Sequence, residues 1–204
     1  MNVSQNVQCK GFPCIDVRHE GYLVPGIEIN PEDISILMIS ECAPADPRDD
    51  YYAAGEPLFQ KTTVQAYNDA GITVSSVVDI LKCGVYLTTA VKCGKTGSGI
   101  TTGTIKECSR LLEKEIALFP RLKAFLLMGD VAIKALNYIS GRAGERRVIP
   151  AESTYKIRGG RYYFRGVRAF PSYLQAGPSF FIEKSKRKMI AADIAEAMAF
   201  VDNQ

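Results

Sequence analysis

A chain of 204 residues with 47% hydrophobic content can bury one sizeable core and fold alone, so residues 1–204 read as a single domain. No stretch approaches the apolar length needed to cross a bilayer, and MNVSQNVQCK lacks the apolar centre of a signal peptide, which leaves a cytoplasmic protein without a membrane partner. The net charge of +3 is unevenly spread: residues 142–188 hold twelve cations against three acids, a local balance of +9, while the first 141 residues hold 13 basic and 16 acidic side chains.

Six cysteines in a reducing compartment do not form a disulfide framework, so they are buried apolar residues, reactive thiols or metal ligands. Cys9 and Cys14 lie in the N-terminal CKGFPC, ahead of the single histidine, His19, which reads as a surface residue. The first apolar run is ISILMIS (34–40), followed by SECAPAD with Glu41. The second is VYLTTAV (85–91), ending at Thr88, Thr89 and Lys92. Cys42 and Cys83 lie beside or within these runs and read as buried apolar residues.

A loop rich in Gly, Thr and Ser then separates Cys93 from Cys108. Thr104 and Glu107 have the spacing of a capping box, and Ile105, Cys108, Leu112, Ile116 and Phe119 recur at helical intervals, which predicts a helix running to Pro120. KAFLLM (123–128) is the third apolar run, and Asp130 is the expected N-cap of a helix over 131–139. YKIRGGRYYFRG predicts a hairpin turning at Gly159 and Gly160. VRAF (167–170) is the fourth run, and a last helix is expected over 182–201 with Ile190, Ile194, Met198 and Val201 on one face. Short apolar runs alternating with helical segments predict an α/β, three-layer fold: a central four-stranded parallel sheet flanked by helices.

In such sheets ligands bind beyond the carboxyl ends of the strands, where Glu41, Thr88, Thr89, Lys92, Asp130 and FPSYLQ (170–175) are expected to outline one cleft. The basic segment is either a solvated face or a surface for a polyanion. Tyr155, Tyr162, Tyr163 and Phe164 among its cations fit a nucleic acid.

The order of VPG (24–26), ILMISECAP (36–44), GEPLF (55–59), YLTTAVKC (86–93), LLMGDVAIKAL (126–136) and FPSYLQ resembles the uracil-DNA glycosylase superfamily, nearest its iron–sulfur branch, over almost the whole chain. The resemblance implies a monomer that excises uracil or another altered base from single- or double-stranded DNA. It also implies that Cys9, Cys14, Cys93 and Cys108 bind a 4Fe-4S cluster. Four thiolates suit zinc equally well on ligand chemistry alone. CKGFPC has four residues between its cysteines, more than is usual in that branch.

By the same resemblance Glu41 is the catalytic acid, Phe59 stacks on the base, and Ser172, Tyr173 and Gln175 meet the DNA. Arg158 and Arg165, from the basic segment, are expected to join them at the phosphates. The family's base-reading asparagine is Thr89 here and its histidine before PS is Phe170, so a hydroxyl and a phenyl ring replace two hydrogen-bonding groups. Two functions follow: a glycosylase with an altered site, or an iron–sulfur nucleic-acid-binding module that keeps the cleft and has lost the chemistry.

Overall fold

The computed structural model describes residues 1–203. Six strands form one mixed sheet: β1 (Val17–Arg18), β2 (Ile36–Ala43), β3 (Val85–Lys95), β4 (Ala124–Met128), β5 (Tyr162–Phe164) and β6 (Val167–Ser172), in the order β1-β3-β2-β4-β6-β5. The expected four parallel strands are its centre, and β1 and β5 add one antiparallel strand at each edge. The helices are α1 (Val3–Asn6), α2 (Leu58–Asp69), α3 (Val77–Lys82), α4 (Thr102–Ile116), α5 (Asp130–Arg142), α6 (Thr154–Ile157), α7 (Ser179–Ile182) and α8 (Lys184–Asp202).

Alternate residues of β2 explain the three layers. Leu37 and Ile39 face α4, α5 and the N-terminal arm, whereas Ile36 and Met38 face α2, α3 and α8. A strand covered on both faces has to be apolar throughout, as β2 and β4 are until the cleft.

Several local expectations shift. Thr101, not Thr104, caps α4, because the Thr104 hydroxyl is taken by Asp16 of the arm. The helix closes at Ile116, short of Pro120. Gly129, at φ 100°, is the N-cap of α5, while the Asp130 side chain pairs with Lys134 at 2.5 Å. The hairpin turns at Arg165 and Gly166, whose positive φ values of 50° and 84° suit a tight two-residue loop, whereas Gly159 and Gly160 follow α6. Cys83 is exposed at the C-terminal end of α3, so it is no core residue.

At the end of β3 the pairing slips: Cys42 faces Val91 but Ala43 faces Gly94, so Lys92 and Cys93 bulge from the ladder. Gly94 is required there, since a Cβ would lie 2.7 Å from the Pro44 carbonyl oxygen. The bulge buries Lys92 completely. Its ammonium donates to the Thr88 hydroxyl at 2.7 Å, the Thr89 carbonyl at 2.6 Å and the Glu115 carboxylate of α4. The other Glu115 oxygen accepts from Tyr86 at 3.0 Å and Thr88 at 2.9 Å. Removing one partner strands the other charge away from water. Glu115→Ala is therefore expected to cost roughly 3–5 kcal/mol in urea denaturation, and Lys92→Met combined with Glu115→Leu to cost less than Glu115→Ala alone.

Candidate functional site

The cleft opens beyond the carboxyl ends of β2 and β4. Glu41 lies at its centre, where the Val131 N–H, on the first turn of α5, donates to Oε1 at 3.4 Å. The approach is close: a Cβ at Gly129 would lie 2.6 Å from that oxygen. Burial pushes the Glu41 carboxyl above its ordinary value, opposed by the Val131 N–H and the Lys95 charge.

Two cavities flank this carboxylate, and Glu41, Leu174 and Ser179 border both. One, of about 390 Å³, is mainly apolar, walled by Leu58, Phe59, Pro44 and Ala176, with Lys95 as its cation. The other, of about 300 Å³, is polar and is lined by Asp130, Thr154, Tyr173, Glu183 and Lys186. The arrangement suits a planar apolar group on one side of Glu41 and a polar group on the other.

The residues expected at the site divide. Phe59 lines the apolar cavity, braced by Tyr51 at 5.3 Å between ring centroids. Tyr173 lines the polar cavity, with the Lys186 ammonium 5.6 Å from its ring. Thr89 is buried and donates to the Val91 carbonyl at 3.0 Å, bordering neither cavity. Phe170 is buried against Phe200 of α8 at 5.7 Å and also lies outside both.

Four residues expected at the DNA have partners within the chain. Ser172 is fully buried and donates to Asp193 at 2.5 Å. Arg158 is held by the same carboxylate at 2.6 Å and by the Met189 carbonyl at 2.8 Å. Gln175 is fully buried, where its amide donates to Tyr51 at 2.9 Å and Ser40 at 3.1 Å. Arg165 sits on the turn before β6, at the end of the strand remote from the cleft, paired with Glu145 at 2.9 Å. In each case a nearby acid or a buried network claims the polar group, which sequence spacing does not reveal. Lys95 is a cleft-lining cation that sequence reasoning passed over. Its signal was slight: one lysine after VKC among 25 basic residues.

On the other face of the sheet the N-terminal arm is stitched to the loop before α4. Asp16 accepts from the Thr101 N–H at 2.7 Å, the Leu23 N–H donates to the Lys92 carbonyl at 2.6 Å, and β1 pairs with Gly94 and Lys95. The Tyr22 hydroxyl accepts from the Cys9 N–H and donates to the Val7 carbonyl, each at 3.1 Å. His19 is half-buried beside Phe12 and bonds the Cys14 carbonyl at 2.7 Å, so it braces the arm.

These ties bring Cys9, Cys14, Cys93 and Cys108 into mutual electrostatic reach. Burial, then the charges of the other three, pushes the Cys93 thiol up to about 12, and burial pushes Cys108 up to about 11. A cavity of about 180 Å³ lies against Cys9, Cys14 and Cys108, with Lys10, Arg110 and Lys114 at its edge. Among the described residues no three His, Cys, Asp or Glu side chains are grouped closely enough to hold a metal ion. None of the helices is long and apolar enough to cross a membrane, among the described residues.

A stretch of 99 residues is 27% identical to a type-5 uracil-DNA glycosylase of Thermus thermophilus, taking in 48% of this chain and 45% of that protein. The match thus spans about half the length of that relative. The family model for the uracil DNA glycosylase superfamily matches residues 23–192, which include Glu41, Phe59, Lys95, Cys93 and Cys108. With the cleft of that match built on the carboxyl edge of a parallel sheet, the chain belongs to the uracil-DNA glycosylase superfamily.

Proposed function

We propose that the protein hydrolyses the N-glycosidic bond of uracil or another altered base in DNA, as a cytoplasmic monomer serving base excision repair. The observation that carries this reading is the position of Glu41 between an apolar and a polar cavity. The flipped base occupies the apolar side on Phe59, and its sugar the polar side. Glu41 orients a water and takes its proton as the oxygen bonds to C1′. The C1′–N bond breaks with its electron pair going to the base, and Lys95 balances the resulting anion. This division compensates for Thr89 and Phe170, which supply neither an amide nor an imidazole to the cleft.

We also propose that Cys9, Cys14, Cys93 and Cys108 hold a 4Fe-4S cluster, with zinc the lesser alternative. What supports it is the donor set: four cysteines, of which Cys14, Cys93 and Cys108 have thiols raised by burial first and then by neighbouring cysteine charges, beside a cavity edged with cations. The bound cluster would supply a structural clamp between the arm and α4.

A second reading, a binding module without chemistry, is favoured by the absence of Thr89 and Phe170 from the cleft. Excision from a panel of modified bases separates the two. Glu41→Gln is expected to slow base release about 10²- to 10⁴-fold with DNA affinity nearly kept. Lys95→Met is expected to slow it about 10²- to 10³-fold. Equal background release by wild type and Glu41→Gln on every base would leave the binding module.

The same substitution has a signature in stability. Because Glu41 binds its proton more tightly folded than unfolded, wild-type stability falls as pH rises from the ordinary glutamate value through the raised one. Glu41→Gln keeps the acceptor for Val131 and is expected to melt above wild type at neutral pH, an advantage that disappears below the ordinary glutamate value. For the cluster, anaerobically purified protein is expected to be brown and to contain acid-labile sulfide. Cys93→Ala should lose both and destabilise the fold, whereas the exposed Cys83→Ala should change neither.

A further inference from the structure

The cleft has one rim with an unusual surface. Phe181 is 44% exposed and Ile182 77% exposed, adjacent large apolar side chains left in water at the end of α7. Phe181 is braced edge-on by the buried Phe180, 5.5 Å between centroids, and the Arg187 guanidinium lies 5.3 Å from the Phe180 ring. After an intervening Glu183, α8 begins KSKRK, with Lys184, Lys186 and Lys188 exposed.

Two of the four cations in that stretch are already balanced, Lys186 by Glu183 at 2.6 Å and Arg187 by Asp69. Lys184 and Lys188 carry no ion pair among the described residues, and both line a hollow of about 600 Å³ between α2 and α8 with an alanine floor. The same short segment borders the Glu41 cleft, through Ser179, Glu183 and Lys186. An apolar, aromatic-bearing knob beside a run of cations, on the lip of a cleft with a carboxylate, matches the two faces of an unpaired nucleotide: a flat base and an anionic backbone.

We propose that residues 181–188 are the grip for a DNA single strand leaving the cleft. An unpaired base rests on Phe181 and Ile182, and Lys184 and Lys188 neutralise the phosphates that follow it through the alanine-floored hollow. This surface follows the carboxyl end of β6, whereas the hairpin turn with Arg165 precedes the strand's start, and the proposal rests on the reading that the Glu41 cleft takes a nucleotide of DNA.

The test measures affinity by fluorescence anisotropy over a salt series, with a labelled oligonucleotide containing one deoxyuridine, as a single strand and as a duplex, alongside base release. Phe181→Ala is expected to weaken single-strand binding roughly fivefold or more, with the salt slope unchanged. Lys184→Glu with Lys188→Glu is expected to reduce the single-strand log–log salt slope by about 1.4, the share of two phosphate contacts. Arg165→Glu, on the remote hairpin, serves as the control and leaves both as in wild type. All four positions are exposed or half-exposed, and thermal melts confirm that the variants stay folded. If wild type binds and releases base while the rim variants keep its affinity and slope, only the rim assignment falls. If wild type binds neither oligonucleotide, the cleft reading falls with it. Self-association of wild type that Ile182→Glu abolishes, with DNA binding intact, would give the knob to a second copy of the chain and overturn the proposal.

Discussion

The buried ion pair between Lys92 and Glu115 is the constraint from which the two functional regions take their positions. A charge removed from water is tolerated only with its partners in place, so β3 and α4 have one workable spacing and register. That register sets the loop between them, and with it Cys93 at the bulge and Cys108 in α4. The bulge that buries Lys92 also ends the regular pairing with β2 beside Glu41 and carries Lys95 to the cleft. One displaced pair of residues thus serves both faces of the sheet.

Beneath the cleft a second polar group does similar work without charge. Ser40, Tyr51, Thr63 and Gln175 meet in a fully buried cluster that joins β2, the loop before α2, α2 itself and the segment after β6. Buried hydroxyls and an amide with every bond made fix geometry more sharply than apolar packing does. Phe59 leans on Tyr51, and Leu174 and Ala176 flank Gln175, so the wall of the apolar cavity inherits that rigidity. The Asp193, Ser172 and Arg158 cluster performs the same task for the wall on the α8 side.

The sheet and its layers were legible in the sequence because burial on both faces leaves long apolar runs, as in ISILMIS and KAFLLM. Glu41 and Phe59 were legible through motif order, which follows chain position. What escaped was the direction of side chains that nothing local dictates. Ser172 reads like a phosphate ligand until the acid on α8, 21 residues away, is seen to claim its hydroxyl. Arg158 shares that acid, 35 residues distant. The capping of α4 was misread by one turn because the competing partner, Asp16, lies 88 residues earlier than Thr104. Charge counting likewise found the basic segment but not its division into paired hairpin cations and the exposed lysines of α8.

Gly129 and Glu41 have a consequence for how the chain can vary. The backbone at Gly129 sits at φ 100° with the carboxylate where its side chain would be, so two positions 88 residues apart share one volume. Any side chain at 129 would have to be matched by a shorter or differently placed acid at 41, and the strained backbone would penalise the exchange again. The constraint therefore runs one way: a side chain at 129 demands a change at 41 first, whereas position 41 can change while the glycine stays.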